Sequence, residues 1–288
     1  MRNKRGLAEN SLHVYIPLIR SFLASQAGRT GRVFRLNTLA IRDFVLGQIK
    51  NRSGEYIRLL GTALRSFLRF LFMSGRMSRD LSASVPTVCK YRQAAPPAFL
   101  CPEEVERILA KTDRSTSTGR RDYTILLLLA RLGLRAGEIV ALELDDLLWR
   151  TGEIVVHGKG RIVDRLPLLS EIGEALATYL RKDRGCSASR RVFLRRLAPR
   201  TSLTGPAAIG HIVRAALVRA DIHRSGRGAA HLFRHGLATK MIRHGASMAE
   251  IAELLRHRSH TTTAIYTQVS FEALRTVALP WPVAGGEK

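Results

Sequence analysis

The sequence predicts a mainly α-helical protein with one small antiparallel β-sheet, divided into two domains. Apolar residues recur at helical spacing through the first third, Pro96 and Pro97 interrupt the chain, and the strand-like stretch is confined to residues 144–169. With 288 residues, 45% of them hydrophobic, the chain can form two cores. We therefore expect a helical domain at residues 1–95 and a mixed α+β domain at residues 96–288.

Amphipathic helices make up the predicted N-terminal domain, and the third of them carries a row of arginines. The helices are expected at residues 11–27, 37–49 and 56–74. Leu39 and Leu59 are among the residues expected on their buried faces. Arg58, Arg65 and Arg69 lie near 3.6-residue spacing on the other side of the third helix. Because few acids accompany them, we interpret the row as a DNA-phosphate surface, with a solvated helix face as the alternative.

Buried helices and a single hairpin make up the predicted C-terminal domain. Pro102 begins its first helix, and a strongly apolar helix at residues 121–132 ends at Gly133. The hairpin is expected from strands at residues 152–157 and 161–168, with a turn at 158–160. Further helices are expected at residues 172–182, 206–220, 231–244, 248–255 and 271–278.

The composition indicates a polyanionic partner. The chain carries 47 Lys and Arg against 23 Asp and Glu, a net charge of +24. Residues 1–98 hold 17 of these bases and 4 of the acids, whereas residues 99–288 hold 30 and 19, so the first third is the more basic per residue. Such an excess is typical of proteins that bind DNA or RNA. A basic protein without a nucleic-acid function is the alternative interpretation.

Cysteine content and hydropathy predict a soluble protein of a reducing compartment. Cys89, Cys101 and Cys186 lie far apart without a C-x-x-C pair, a pattern that is atypical of a disulfide framework or a zinc site. The start of the chain is basic and amphipathic, unlike a secretory signal. The longest apolar run, residues 125–130, is far too short to cross a bilayer, so no membrane partner is expected.

Two arginines and a group of histidines form the first part of a candidate catalytic set. Arg135 stands in the Gly-Leu-Arg-Ala-Gly-Glu segment at residues 133–138, between two predicted helices. His231, Arg234 and His235 would share one helix face, because they are three and four residues apart. Displacing an oxygen at a phosphodiester builds negative charge on the non-bridging oxygens. Guanidinium groups can hold that charge without a metal ion.

Tyr266 is the candidate nucleophile and Lys159, at the hairpin tip, the candidate general acid. The Tyr266 phenol has an ordinary pKa of about 10 and needs a neighbour such as His257 to favour its ionised form. Each residue also has a structural interpretation, as a surface cation or a packed ring. His231 and His235 have the spacing of zinc ligands, but neither the H-E-x-x-H glutamate nor a third ligand is evident. No metal or other cofactor is expected.

Together these residues resemble those of the tyrosine recombinases of the phage integrase family, and the layout is similar to Xer-like members over nearly the whole chain. The family's two arginines, lysine, two histidines and tyrosine map in order onto Arg135, Lys159, His231, Arg234, His257 and Tyr266. The resemblance implies a helical core-binding domain that clamps double-stranded DNA, followed by a catalytic domain. It also implies cleavage of one strand by Tyr266 through a 3′-phosphotyrosine link, without metal or ATP.

The resemblance further implies a role for each residue and a set of partners. Arg135, Arg234 and His257 would bind the scissile phosphate. Lys159 would act as general acid, and His231 would assist proton transfer. A homotetramer would act on two duplexes, with a C-terminal helix docking on the neighbouring protomer. A second recombinase and accessory DNA-bending proteins are further candidate partners, and the expected location is the cytoplasm, at the nucleoid.

Several positions depart from the family's usual pattern. Arg256 stands in a Leu-Arg-His segment where Leu-Gly-His is usual, and its side chain would either add a DNA contact or slow the reaction. Leu132 and Gly137 occupy places that usually hold a small polar residue, and Phe233 replaces a leucine. Two other functions stay open: a type IB topoisomerase-like nicking and closing enzyme, and a non-catalytic DNA-binding relative.

Overall fold

The computed structural model forms two compact units, Met1–Ala94 and Ala95–Lys288. The described residues are 9–30, 36–87, 98–158, 163–224 and 228–256. Side chains are described in these ranges apart from those of residues 9, 10 and 27–30. The helix predicted at residues 271–278 lies outside the described residues. Within the described ranges, every helix is too short or too polar to cross a membrane.

Three α-helices form the described part of the first unit, and polar caps determine where two of them begin. The helices are α1 (Glu9–Thr30), α2 (Thr38–Ile49) and α3 (Gly54–Met73). Asn37 Oδ1 accepts a hydrogen bond from the Ala40 backbone N–H at 2.8 Å, and the Ser53 hydroxyl accepts one from that of Tyr56 at 3.3 Å. A 3₁₀ turn, Ser82–Ser84, follows α3. The three helices lie where the sequence predicts them.

Apolar residues from all three helices fill the core of the first unit. Its most deeply buried members are Phe22, Ile41, Val45, Leu60, Ala63, Leu64 and Leu68. Phe22 packs edge to face against Phe44, with ring centroids 5.1 Å apart. The predicted burial of Leu39 and Leu59 is wrong, since both are exposed. Successive residues of a helix are turned by about 100°, which places Leu59 outside the face on which Leu60 is buried.

Seven α-helices lie in the described part of the second unit, arranged around a buried central helix. They are α4 (Pro102–Ala110), α5 (Ser117–Leu132), α6 (Ala136–Ala141), α7 (Ser170–Tyr179), α8 (Pro206–Arg219), α9 (Ala229–Arg243) and α10 (Met248–Leu254). Residues 125–129 of α5 are fully buried, and α5 packs against α7 and α9. The predicted fold class, mainly helical with a small antiparallel sheet, is confirmed.

The sheet is the predicted hairpin with one short strand added. Its strands are β1 (Leu147–Leu148), β2 (Glu153–His157) and β3 (Val163–Pro167), antiparallel and in the order β1-β2-β3. Ile154 lies opposite Leu166, and both side chains are buried, as the alternation of a half-buried strand requires. His157 and Val163 form the last pair of β2 and β3. The connection that contains Lys159 follows directly from this pair.

Two glycines allow the helices of the second unit to approach closely. Gly133 ends α5 with a φ of +57°, and a Cβ at this position would lie 2.9 Å from a Leu255 methyl carbon. A Cβ on Gly236, within α9, would lie 2.4 Å from the Leu100 carbonyl oxygen. The Leu100 N–H donates to the Leu232 carbonyl at 3.3 Å, which secures this segment against α9. These contacts bring the turn after α5, the helix α9 and the end of α10 together.

Candidate active site

Arg135 lies where α6 begins, immediately beyond the Gly133 turn. Its Nη1 donates to Glu138 Oε1 at 2.6 Å, and its backbone N–H donates to Glu138 Oε2 at 2.8 Å. The Arg135 side chain is 36% exposed, whereas that of Glu138 is 4% exposed. Glu138 thus caps the start of α6 and restrains the Arg135 guanidinium through Nη1, while part of that guanidinium stays open to solvent.

Arg234 is the buried cation of the site. It is 3% exposed and lies on α9. Its Nη1 donates to the Gly133 carbonyl at 2.6 Å, and its Nη2 donates to the Leu255 carbonyl. Arg234 therefore ties α9 both to the turn that presents Arg135 and to the end of α10, and it places a permanent positive charge beside that turn.

His231 and His235 lie on one face of α9, as their spacing predicts, with ring centroids 6.1 Å apart. Burial, reinforced by His231 and by the charge of Arg234, lowers the pKa of His235 to about 4. His231 keeps an exposed edge, yet desolvation of the rest of its ring and the charges of Arg234 and Arg135 lower its pKa as well. Both rings are therefore neutral near pH 7 and can accept a proton.

Arg256 points into the protein. Its backbone has a φ of +53°, in the left-handed region, and its side chain is 7% exposed. Arg256 Nη2 donates to Glu138 Oε2 at 2.8 Å, and its own carbonyl oxygen accepts from Arg135 Nη2 at 3.1 Å. The Arg256 guanidinium is directed to a buried carboxylate, and whether Arg256 adds a DNA contact or slows the reaction stays a prediction.

Glu138 consequently accepts hydrogen bonds from the side chains of two arginines, Arg135 and Arg256. Burial opposes ionisation of its carboxyl, but the Arg135 N–H and the guanidinium charges of Arg256 and Arg135 outweigh that effect and hold the pKa of Glu138 below its usual value. The sequence signalled Glu138 through its spacing from Arg135. Asp164 on β3, whose Oδ2 lies 3.8 Å from Arg256 Nε, carried no signal, because its proximity depends on tertiary packing.

Lys159, His257 and Tyr266 lie outside the described residues. Of the predicted catalytic set, the structure therefore locates Arg135, His231 and Arg234, and it brings these three together. Among the described residues, no group of three or more His, Cys, Asp and Glu side chains is placed to hold a metal ion.

The arginines of α3 do not form one uniform surface. Arg65 Nη2 donates to two backbone carbonyls and one hydroxyl of the 85–87 segment, at 2.9 to 3.1 Å, and so ties this segment to α3. Arg65 therefore has a structural role, and its predicted phosphate contact stays a prediction. Arg58 is half-buried, and Arg69 is exposed. These two keep the predicted orientation toward solvent.

A cationic cavity of about 220 Å³ opens beside the start of α5 in the second unit. Its lining includes the bases Arg121, Lys182, Arg184, Arg195, Arg196 and Arg200. Arg184 donates to backbone carbonyls, whereas Lys182 and the three bases between residues 195 and 200 are exposed. The bases come from three separate segments, so the sequence does not reveal that they converge.

The chain matches one known protein family and several recombinases. The model of the phage integrase family matches residues 98–273. The putative integrase/recombinase y4rA of Sinorhizobium fredii (strain NBRC 101917 / NGR234) is 44% identical over 285 residues, which are 98% of this chain and 69% of that protein. The tyrosine recombinase XerC of Bacillus pumilus (strain SAFR-032) is 34% identical over 227 residues, which are 74% of this chain and 70% of that protein.

Solved structures share the fold at lower sequence identity. The XerH site-specific recombinase, in a post-cleavage complex with palindromic difH substrate, has a TM-score of 0.72 and 18% identity, and the match covers 93% of this chain and 78% of that one. A lambda integrase dimer bound to a COC′ core site has a TM-score of 0.66 and 17% identity, with 91% and 90% covered. The family match and the relatives show that the chain belongs to the phage integrase family of tyrosine recombinases, whose members are DNA strand-exchange enzymes.

Proposed function

We propose that this chain performs site-specific recombination by cleaving one DNA strand with Tyr266 and exchanging it through a 3′-phosphotyrosine intermediate. The observation that carries the proposal is the convergence of Arg135 and Arg234 at one turn, with His231 within their electrostatic reach. Two fixed cations beside a neutral histidine suit a reaction that accumulates charge on a phosphate and moves protons.

Arg135 is the guanidinium best placed to bind the scissile phosphate, because part of it is exposed while Glu138 restrains the rest. Arg234 would add positive charge at the same turn, where it binds the Gly133 carbonyl. A neutral His231 can assist proton transfer, in line with its lowered pKa. Preorganised cations of this kind stabilise a transition state without reorganising during the reaction.

The remaining roles fall on residues beyond the described ranges. Tyr266 would attack the phosphorus and release a 5′-hydroxyl. That hydroxyl would then attack the 3′-phosphotyrosine link on the partner duplex and release the tyrosine of that link. Lys159, in the connection after β2, would protonate the leaving 5′-oxygen. His257 would hold a non-bridging oxygen beside Arg135. Each assignment follows the order of these residues in the sequence and the family to which the chain belongs.

Double-stranded DNA is the proposed substrate, bound by a homotetramer that joins two duplexes. A lambda integrase tetramer bound to a Holliday junction has a TM-score of 0.65 to this chain. The first unit, through Arg58 and Arg69, and the cationic cavity of the second unit would contact the DNA backbone. A second recombinase and DNA-bending proteins are proposed accessory partners. Acting on such DNA, the protein would work in the cytoplasm, at the nucleoid.

A covalent trap tests the proposal and its nucleophile. The full chain is incubated with labelled duplexes from the flanks of its own gene, nicked beside the cleavage site so that the cleaved strand is lost, and then separated in denaturing detergent. We expect a labelled adduct with the wild-type chain and none with Tyr266→Phe, which removes only the nucleophilic oxygen.

The other outcomes distinguish the alternatives. Relaxation of a supercoiled plasmid that lacks any specific site would identify a nicking and closing enzyme instead. Equal DNA affinity of the wild-type chain and Tyr266→Phe, with no adduct and no relaxation by the wild type, would identify a non-catalytic DNA-binding protein and overturn the proposal.

A further inference from the structure

Arg256 occupies a backbone conformation that glycine adopts more easily. Its φ of +53° places it just after α10, in the left-handed region that L-residues with a Cβ rarely adopt. A glycine would form this turn without strain. An arginine that retains this conformation indicates that its side chain makes contacts that compensate for the strain.

Those contacts bridge two parts of the fold that are distant in sequence. Arg256 Nη2 binds Glu138 Oε2 at 2.8 Å, on the carboxylate that also holds Arg135. Arg256 Nε faces Asp164 Oδ2 at 3.8 Å, and Asp164 is the second residue of β3. The planar guanidinium thus lies between the start of α6 and the β2–β3 hairpin.

The two contacts of the bridge differ in kind. The contact with Glu138 is a complete charge-assisted hydrogen bond. The contact with Asp164 is an ion pair too long for a hydrogen bond, and within the described residues the buried Arg256 Nε has no hydrogen-bond acceptor. A movement of the hairpin by about 1 Å would bring Asp164 within hydrogen-bond distance and satisfy that donor.

We propose that Arg256 is a positioning residue that couples the β2–β3 hairpin to Arg135 through Asp164 and Glu138. The proposal rests on the proposed function, because the hairpin connection contains Lys159 and Arg135 would bind the phosphate. Docking of the hairpin would close the Asp164 contact and fix Glu138. Fixing Glu138 would in turn fix the Arg135 guanidinium that it binds.

A direct phosphate contact by Arg256 fits the structure less well. The side chain is 7% exposed, and its Nη2 and Nε atoms are directed to two carboxylates, whose charges offset its own. If Arg256 left Glu138 to reach DNA, the buried Glu138 carboxylate would lose one of its charge partners, which is unfavourable. The positioning role therefore predicts an effect on the rate of cleavage and not on DNA affinity.

The test measures single-turnover cleavage of nicked DNA and DNA affinity separately. Arg256→Gly, which relieves the turn but removes the bridge, is expected to slow cleavage about tenfold while the Kd changes less than about twofold. Asp164→Asn should slow cleavage to a similar extent. Adding Asp164→Asn to Arg256→Gly should slow cleavage no further, because Asp164 acts through the Arg256 bridge that Arg256→Gly already removes. Arg256→Lys keeps the charge but spans only one carboxylate, so its rate should fall between those of the wild-type chain and Arg256→Gly.

A neighbouring ion pair provides the matched control. Glu153 pairs with Arg165 at 3.2 Å on the same hairpin, away from Arg256. Glu153→Gln should leave the cleavage rate unchanged. Unchanged cleavage in Arg256→Gly, or a loss confined to DNA affinity, would overturn the proposal.

Hydrogen exchange distinguishes failure of this inference from failure of the proposed function. If the wild-type chain forms no adduct, the proposed function fails on that DNA, but the bridge can still be measured. Amides of residues 153–167 should exchange severalfold faster in Arg256→Gly and Asp164→Asn than in Glu153→Gln. Exchange in Arg256→Gly equal to that in the wild-type chain would show that Arg256 does not hold the hairpin.

Discussion

Arg135 and Arg234 carry the same charge in different surroundings. Arg135 is restrained on one side by Glu138 and open on the other, which suits a group that must receive a ligand. Arg234 is buried, and its donors are directed to the carbonyls of Gly133 and Leu255. We expect Arg135 to bind the phosphate most directly, with Arg234 fixing the turn and supplying charge.

The buried Glu138 carboxylate is stabilised in its charged form by the guanidinium groups of Arg135 and Arg256. An isolated ionised Glu138 at this depth would be strongly unfavourable, and losing one partner of such a pair typically costs about 3–5 kcal/mol. With Arg135 and Arg256 both in place, the carboxylate stays charged and its two oxygens are directed to different partners.

His235 makes the stability of the second unit depend on pH. Its pKa is lowered to about 4 in the folded chain, whereas an unfolded histidine titrates near 6.5. The unfolded state therefore binds more protons below pH 6.5, and the stabilisation present above that pH is lost as pH falls toward 4. Between pH 7 and pH 5 we expect a loss on the order of 1–2 kcal/mol, reduced in His235→Asn.

Urea denaturation monitored by tryptophan fluorescence measures this effect. Both tryptophans, Trp149 and Trp281, belong to the second unit, so the signal reports on the unit that contains His235. Equal losses of unfolding free energy in the wild-type chain and His235→Asn would contradict the assigned pKa.

At the scale of elements, the site depends on close helix packing around α5 and α9. Gly133 reverses the chain after α5 so that Arg135 starts α6, and Gly236 lets α9 lie against the Leu100 carbonyl. A Cβ at Gly236 would meet a backbone oxygen, whereas Gly133 is favoured by its left-handed φ of +57°. The short strands β2 and β3 contribute in another way, because their last pair fixes where the Lys159 connection begins.

Gly236→Ala is expected to lower the free energy of unfolding of the second unit by about 2–3 kcal/mol, because the new methyl group would meet a backbone oxygen that cannot easily move. Gly210→Ala is the matched control within α8. Its new methyl group would lie 3.5 Å from a flexible Arg214 nitrogen, and alanine favours a helix by about 0.5–1 kcal/mol. In urea denaturation, the free energy of unfolding should therefore fall in Gly236→Ala and rise in Gly210→Ala. A change in the same direction in both variants would refute the packing argument.

At the scale of the whole molecule, the charge suits a protein that binds DNA. The net charge of +24 is spread over both units, and residues 1–98 hold 17 bases against 4 acids. Attraction of this kind depends on released counterions and weakens as salt rises. It supplies affinity for any duplex, whereas selection of a site requires contacts with bases.

Assembly on two duplexes is predicted to need the C-terminal segment. Deletion of residues 270–288 removes the predicted docking helix but keeps Tyr266. We expect cooperative synapsis of two labelled duplexes to fall, because one protomer would no longer engage its neighbour. Binding of a single duplex should be retained and serves as the internal control. Native gel electrophoresis measures both, and unchanged synapsis would refute the docking role.

Much of the architecture was determined by local sequence patterns. Apolar spacing located the helices, Gly133 marked the end of α5, and the run of β-branched residues before Gly158 predicted the hairpin. These features depend on a few neighbouring residues, so a sequence can specify them directly. The order of the arginines, histidines, lysine and tyrosine was likewise sufficient to indicate the family, which the comparisons confirm.

Only the tertiary structure decided what individual arginines do. By sequence, Arg65 and Arg256 were candidates for DNA contacts, but packing directs Arg65 to the 85–87 segment and Arg256 to Glu138. Leu59 was expected inside and lies outside. A long cation pairs with whichever acceptor the fold brings within reach, and that acceptor stands 20 residues away for Arg65 and 118 for Arg256. Local spacing contains no information on such pairs, because the free energy that selects them arises from burial and charge in the assembled fold.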